Sequence, residues 1–283
     1  DRLAKERKTA LGVASLRPWD LAVDPLGRAP LRPFDSPDEL ADLAISVFEE
    51  LDPYFADCLR EMRTMGRLDL GSRDGKAPGG YNYPLYETGP PFIFMNAVGT
   101  TSDVITMVHE GGHAVHSFLT HPLPITGFKN FPSEVAELAS MSMELLTMEH
   151  WHLIYTDPEE LRRAKRDQLE RVLSILPWVA TVDAFQHAIY THPEWTIKER
   201  SKAWVEIHQR FGGDVVDWSG LDKVRATLWH KQLHIFEGPF YYIEYGIAQM
   251  GAIGVWRNYK KNPTEALHMY TDALKLGYTR TLP

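Results

Sequence analysis

The sequence predicts a mainly α-helical fold that carries a small β-sheet insertion, and three observations lead there. From Thr100 onward apolar residues recur at helical spacing, punctuated by Pro132, Pro158, Pro177, Pro193, Gly212-Gly213, Pro239 and Pro263. Residues 68–100 are instead rich in glycine, proline and aromatics, with a short apolar run at Phe92–Met95. Of the 283 residues, 44% are hydrophobic, enough to bury a sizeable core.

Taken in order, the opening stretch reads as a helix to about Gly12. Residues 16–37, "LRPWDLAVDPLGRAPLRPFDSP", then place five prolines in 22 residues. Proline removes a donor and biases its predecessor to extended geometry, so this is an extended segment. Ser36 is a good N-cap, with Pro37 behind it and Glu39 three residues on. It should open a helix running to about Met65 with a bend at Pro53. The glycine-rich stretch reads as a small sheet with a flexible Gly79-Gly80 loop. Helices are then expected at 102–120, 133–155, 158–176, 178–191, 196–211, 222–234, 240–259 and 263–276. The proline-rich start (1–35) is set apart from one large domain, 36–283.

Composition narrows the function. The formal charge is −8, from 30 basic and 38 acidic residues without a long basic run, which argues against nucleic acid and anionic membranes as partners. The single cysteine, Cys58, allows no intrachain disulfide and points to a reducing, cytoplasmic setting. No apolar stretch is read as approaching the roughly 20 residues that span a bilayer, and no signal core is found. The chain opens on Asp1 and is expected to be a piece of something longer.

The chemistry concentrates in "VHEGGHAVHSF", Val108 to Phe118. At 100° per residue, His113 falls about 40° from His109 and His116 about 20° to its other side, while Val104, Val108, Val115 and Leu119 gather opposite. Two imidazoles at i and i+4 can point at one cation, and Glu110 follows the first. This is the H-E-x-x-H pattern of zinc hydrolases, in which the glutamate is the general base. The bland alternative is a partly buried polar helix face. Gly111 and Gly112 each weaken the helix by about 1 kcal/mol against alanine. On the wheel Gly111 lies among the valines, where it admits a neighbouring element, and Gly112 flanks the histidines, where a side chain would crowd what lies over them.

A catalytic zinc commonly has three protein ligands and one open position. One common extension of the motif needs Gly at 116 and His at 119; here His116 and Leu119 stand there, which excludes that class. A glutamate on the next helix is the alternative. "FPSEVAELASMSMELLTMEH" offers Glu137 and Glu144, seven residues apart on a face shared with Met141 and Met148, after a cap at Ser133. Carboxylates on such a face are costly to bury without a cation or donors. An exposed acidic face including Glu134 and Glu149 is the competing reading.

"VHEGGHAVHSF" followed by "EVAELASMSMEL" resembles the thimet oligopeptidase and oligoendopeptidase F family of zinc metallopeptidases, nearer the bacterial oligoendopeptidase F branch. "FIFMNAVGTTSDVITMVHEGGHAVH" upstream and "HIFEGPFYYIEYGIAQ" downstream extend the likeness. It implies a zincin-like multi-helix catalytic domain with the sheet beside the active-site helix. It implies one Zn2+ on His109, His113 and Glu137, with Glu110 as catalytic glutamate and Glu144 orienting a ligand histidine. His116 is expected to stand behind the ligands or to pack, rather than to be a fourth ligand. His234, Tyr241, Tyr242 and Tyr245 are the candidates to stabilise the oxyanion. Three tyrosines in five residues would otherwise read as core aromatics.

Family members hold an extended peptide against a strand edge, and "PPFIFMNAVG" occupies the matching place, with Asn96 and Ala97 on it. The Gly79, Gly80, Tyr81 loop is a candidate cover for the peptide, or a plain turn. The implied activity is endopeptidase cleavage of internal bonds in short peptides. The family's helical N-terminal part is missing, so the chain reads as the catalytic half. A zinc carboxypeptidase of related helical fold and an inactive zinc-stabilised peptide-binding domain are the alternatives.

Overall fold

The computed structural model describes residues 1–281. The chain forms two compact units, each discontinuous: Asp1–Pro30 with Glu170–Gly246, and Leu31–Leu169 with the chain from Ile247 onward. This division follows packing, whereas the sequence-based one at residue 35 followed proline content.

In the second unit, Ser36 caps α2 (Pro37–Leu51), its hydroxyl accepting from the Glu39 N–H at 3.2 Å. The bend expected at Pro53 is a full break. Asp52 is extended, ends α2 and caps α3 (Pro53–Thr64) by accepting from the Tyr54 N–H. Three strands follow: β1 (Leu68–Gly71), β2 (Tyr81–Leu85) and β3 (Gly89–Ala97). Their order is β1-β3-β2, with β1 parallel and β2 antiparallel to β3. Ile93, Met95 and Ala97 point alternately into the core.

The joint from β3 into α4 (Thr101–Thr120) is fixed by one buried carboxylate. Asp103 accepts from the N–H groups of Val98 at 3.0 Å and Thr100 at 2.8 Å, while Thr100 caps the helix reciprocally. A short helix, α5 (Thr126–Lys129), precedes α6 (Ser133–Met148). Ser133 is the first residue of α6, not its cap; Pro132 holds that position. The helix stops at Met148 instead of reaching 155, and a 3-10 turn at Trp151–Leu153 buries the Trp151 ring completely. The last helix, α12 (Pro263–Lys275), is tied to α6 by Tyr270, whose hydroxyl donates to the Ala139 carbonyl at 2.7 Å.

In the first unit, α1 (Arg2–Leu11) ends at Gly12 with φ 66°, a left-handed cap. The proline-rich segment after it is anchored. Leu16 is fully buried in a parallel bridge to Val216, and Pro18–Ala22 forms a 3-10 turn. The expected helices at 158–176 and 178–191 are one helix, α7 (Pro158–Thr191), which belongs to the second unit up to Leu169 and to the first from Glu170. Pro177 removes a single N–H, and the carbonyl it leaves unserved belongs to Leu173, an exposed residue, so water can take its place.

Continuity also overturns the reading that no apolar stretch is long enough to span a bilayer, since α7 contains an 18-residue window that qualifies by length and composition. That reading had cut the helix at Pro177. A third of that window is buried, and Val179, Val182 and Phe185 from it pack in a core with Trp204 and Trp229.

The first unit continues with α8 (Ile197–Gly212), α9 (Asp222–Thr227) and α10 (His234–Glu237). The helix expected over 222–234 gives way after Thr227 to a 3-10 turn. The one expected from 240 begins at Ile243 as α11 (Ile243–Lys261), after Phe240 at φ 56°.

Candidate metal centre

Two helices of the second unit build the site, and glycines set how closely they approach. A Cβ on Gly112 of α4 would lie 2.8 Å from the Ser140 Cα of α6, and one on Gly111 would lie 2.6 Å from the ring tip of Phe48 on α2. The pair thus trades helix propensity for contact on two sides. What would be crowded at Gly112 is the backbone of α6 itself.

That approach brings Glu137 of α6 over the histidines of α4. The His109 Nε2 lies 3.4 Å and the His113 Nε2 3.8 Å from the Glu137 Oε2, and one donor atom from each residue falls within 4.8 Å of the others. Donors about 2.0–2.2 Å from a tetrahedral zinc lie roughly 3.3–3.6 Å apart, so the set fits such an ion with little movement. Glu137 is buried, and Ser140 donates to its carboxylate at 3.3 Å. The two imidazoles stand almost perpendicular, with centroids 4.9 Å apart.

The other nitrogen of His109, Nδ1, lies 2.7 Å from Glu144 Oε1 one turn-pair along α6. The carboxylate fixes Nδ1 as the protonated nitrogen and leaves Nε2 to face Glu137. Burial opposes charge on His109, but hydrogen bonds to Glu137 and Glu144 outweigh it and hold its imidazole well above the ordinary value. Burial and the neighbouring His109 charge push His113 down to about 4. Glu110 is almost wholly buried, its Oε2 has no hydrogen-bond partner among the described residues, and burial lifts its carboxyl to about 7. A carboxyl poised there can take or give a proton at neutral pH.

Of the two readings of His116, the structure matches packing. Its ring is fully buried and stacked on Phe131 at 3.5 Å between centroids. At seven residues from His109 it lies about 10 Å along the axis, too far to touch the set.

The peptide-binding expectation needs two corrections. The segment "PPFIFMNAVG" is β3, the central strand, paired on both sides at Ile93 and Phe94, whereas over Asn96 and Ala97 its strand partner is β1 alone; among the described strands the antiparallel edge is β2. The Asn96 amide donates to the carbonyls of Ala77 at 2.9 Å and Gly79 at 3.0 Å, and Ala97 is buried. The Gly79-Gly80 loop is therefore held rather than loose. Lys76 adds to this, its buried ammonium donating to Asp69, Gly71 and Met95. A Cβ on Gly80 would press on Thr106 of α4 at 3.1 Å. Tyr81, half exposed, stacks on Phe94.

In the first unit, His234, Tyr241, Tyr242 and Tyr245 do cluster, with the His234 ring 5.1–5.7 Å from each tyrosine ring. The Tyr245 hydroxyl lies 3.3 Å from His234 Nε2, and Gln232 engages Nδ1. Tyr242 is buried in the aromatic core. Sequence reasoning missed Gln168, whose Nε2 donates to Glu144 Oε2 at 2.7 Å. It lies in "RDQLE", an ordinary charged helix stretch, and no local pattern marks it.

Similarity to known proteins follows this geometry. The chain is 25% identical to the oligopeptidase PepF of Bacillus subtilis over 244 residues, 85% of this chain and 36% of that protein. It is 23% identical to an oligoendopeptidase F homolog of Borreliella burgdorferi over 218 residues, 74% of this chain and 36% of that protein. The solved structure of PZ peptidase A with an inhibitor matches at TM-score 0.93 and 31% identity, over 99% of this chain and 50% of that one. The chain thus spans half or less of the length of these proteins. Peptidase family M3 matches residues 2–282, a range that takes in both helices of the histidine–glutamate set, and the chain belongs to that family.

Proposed function

We propose that the chain is the catalytic part of a zinc-dependent oligoendopeptidase that hydrolyses internal bonds of short peptides. The observation that carries this is the convergence of His109, His113 and Glu137 with buried Glu110 beside them. A zinc ion on these three donors would supply Lewis acidity, lowering the pKa of a water toward 7 and polarising the scissile carbonyl. Glu110 accepts the proton of the attacking water and returns it to the leaving amine. Glu144 holds the His109 ring in the tautomer that presents Nε2. By the family resemblance, His234, Tyr241 or Tyr245 would donate to the developing oxyanion. Peptide is taken up by main-chain hydrogen bonds along the β2 edge, which tolerates varied side chains. The names of the relatives, oligopeptidase and oligoendopeptidase, support the substrate class. A cytoplasmic setting is supported by the single, buried Cys58, and a further helical part by the chain covering 36% of the oligopeptidase PepF and 50% of the PZ peptidase A chain.

The test is cleavage of an internally quenched peptide with a blocked C-terminus, before and after chelation. Parent protein should cut it, lose the activity with chelator and regain it with zinc. Glu110→Gln should retain zinc and lose at least 10²-fold in kcat. Equal cleavage by both forms defeats the mechanism, and a requirement for a free C-terminus favours the carboxypeptidase alternative.

A further inference from the structure

We propose that Gln168 is a positioning residue for the metal site, fixing Glu144 and, through it, the ring of His109. This rests on the zinc reading of His109, His113 and Glu137. The His109 Nδ1 engages only one oxygen of Glu144, at 2.7 Å. The terminal torsion of a glutamate is broad, so one hydrogen bond leaves the carboxylate free to swing. Gln168 engages the other oxygen, at 2.7 Å, from α7. His109, Glu144 and Gln168 therefore form one line across α4, α6 and α7, in which both carboxylate oxygens are held.

The chemistry of the amide sharpens the assignment. Its orientation is dictated, because the flipped amide would set two acceptors face to face. Gln168 is 1% exposed, and its Oε1 is buried with no hydrogen-bond partner among the described residues. An apolar side chain of similar size would remove that orphan, so packing alone does not explain an amide here. A neutral donor has a further property that Lys or Arg lacks. It orients Glu144 without cancelling the negative charge that raises the basicity of the ligand imidazole.

The test is the zinc dissociation constant of the full chain, measured by competition with a chromophoric chelator at pH 8. The melting temperature of the metal-free protein is measured in parallel. Gln168→Met keeps the volume and removes the donor; it should bind zinc about 10- to 100-fold more weakly. Its metal-free melting temperature should stay within a few degrees of the parent. Gln168→Leu, which also removes the donor without adding a charge, should show the same weakening and serves if the Met form does not fold. At saturating zinc, KM for the quenched peptide should match the parent. Zinc affinity within twofold of the parent in either folded variant overturns the proposal, as does weakening matched by an equal loss of metal-free stability. Parent protein that binds no zinc, or binds it equally after Glu137→Ala, defeats the metal reading and this inference with it. Normal zinc binding by the parent beside normal binding by Gln168→Met defeats this inference alone.

Discussion

The Cα of Ser140 lies 2.8 Å from the point where a Cβ on Gly112 would sit, so the backbone of α6 rests against a helix with no side chain in the way. Glu137 lies one turn before Ser140, and this contact sets its distance from the histidines. Gly112→Ala should push α6 outward against main chain that cannot yield, at about 1–3 kcal/mol in stability and with weaker zinc binding. Gly111→Ala meets only the tip of the Phe48 ring and should lower stability comparably while leaving zinc affinity within a few-fold. Urea unfolding of the metal-free forms, paired with zinc titration, separates the two.

A second prediction sorts the tyrosines. Tyr242 is buried with the Trp204 and Trp229 core, and its phenol is pushed above its ordinary value by that burial. Tyr242→Phe should leave kcat within about threefold. One of Tyr241→Phe and Tyr245→Phe should lose about 10²-fold in kcat with little change in KM, as expected on removing an oxyanion donor. Steady-state kinetics on all three single variants checks this. Uniformly mild effects would remove the tyrosines from the mechanism.

A third concerns the loop beside the edge strand. The Lys76 side chain is 1% exposed, and its ammonium is shared by Asp69 and the carbonyls of Gly71 and Met95. Lys76→Met takes this donor from the Gly71 and Met95 carbonyls while Asp69 keeps its ion pair with Arg73, so stability should fall by about 1–3 kcal/mol. Limited proteolysis should then cut within 72–80 at a rate well above that of the parent. An unchanged cleavage rate would show that Asn96 alone holds the loop.

The fourth is a pH dependence outside the metal site. His208 is pushed down to about 4, chiefly by burial and then by the Arg225 and Lys231 charges. Its ring sits among Trp178, Trp204 and Trp218, and Arg225 donates to Nδ1 at 3.3 Å. Its unfolded value is 6.5, so between pH 6.5 and 4 the unfolded chain binds the extra proton and stability falls as pH falls. Because the group is partly exposed, the discounted contribution is about 1–2 kcal/mol. His208→Phe should flatten the stability profile across that window. An unchanged slope would show that the acid sensitivity arises elsewhere.

The sequence carried the local part of this structure well. Two histidines at i and i+4 face one way by helix geometry alone, and Glu137 and Glu144, seven residues apart, share a face for the same reason. The cap at Ser36 is written in adjacent residues. What stayed hidden depends on distant chain. Nothing near Gln168 tells that α7 passes behind Glu144. Pro177 looked like a helix end, because whether the freed carbonyl meets water depends on the tertiary fold. The central position of β3 follows from pairing on both sides, which its apolar run does not encode. His116 shares the histidine face, yet its stacking on Phe131 comes from the chain after α5.

The most direct measurement is zinc K-edge absorption spectroscopy on stoichiometrically loaded protein, with Glu137→Ala beside it. The expected parent spectrum has one zinc per chain, with two imidazole nitrogens at about 2.0–2.1 Å and carboxylate oxygen at about 2.0–2.2 Å. The oxygen contribution should change, and affinity collapse, in the Glu137→Ala form. Zinc bound without paired imidazoles, or an environment identical in both proteins, would contradict a site made by α4 and α6.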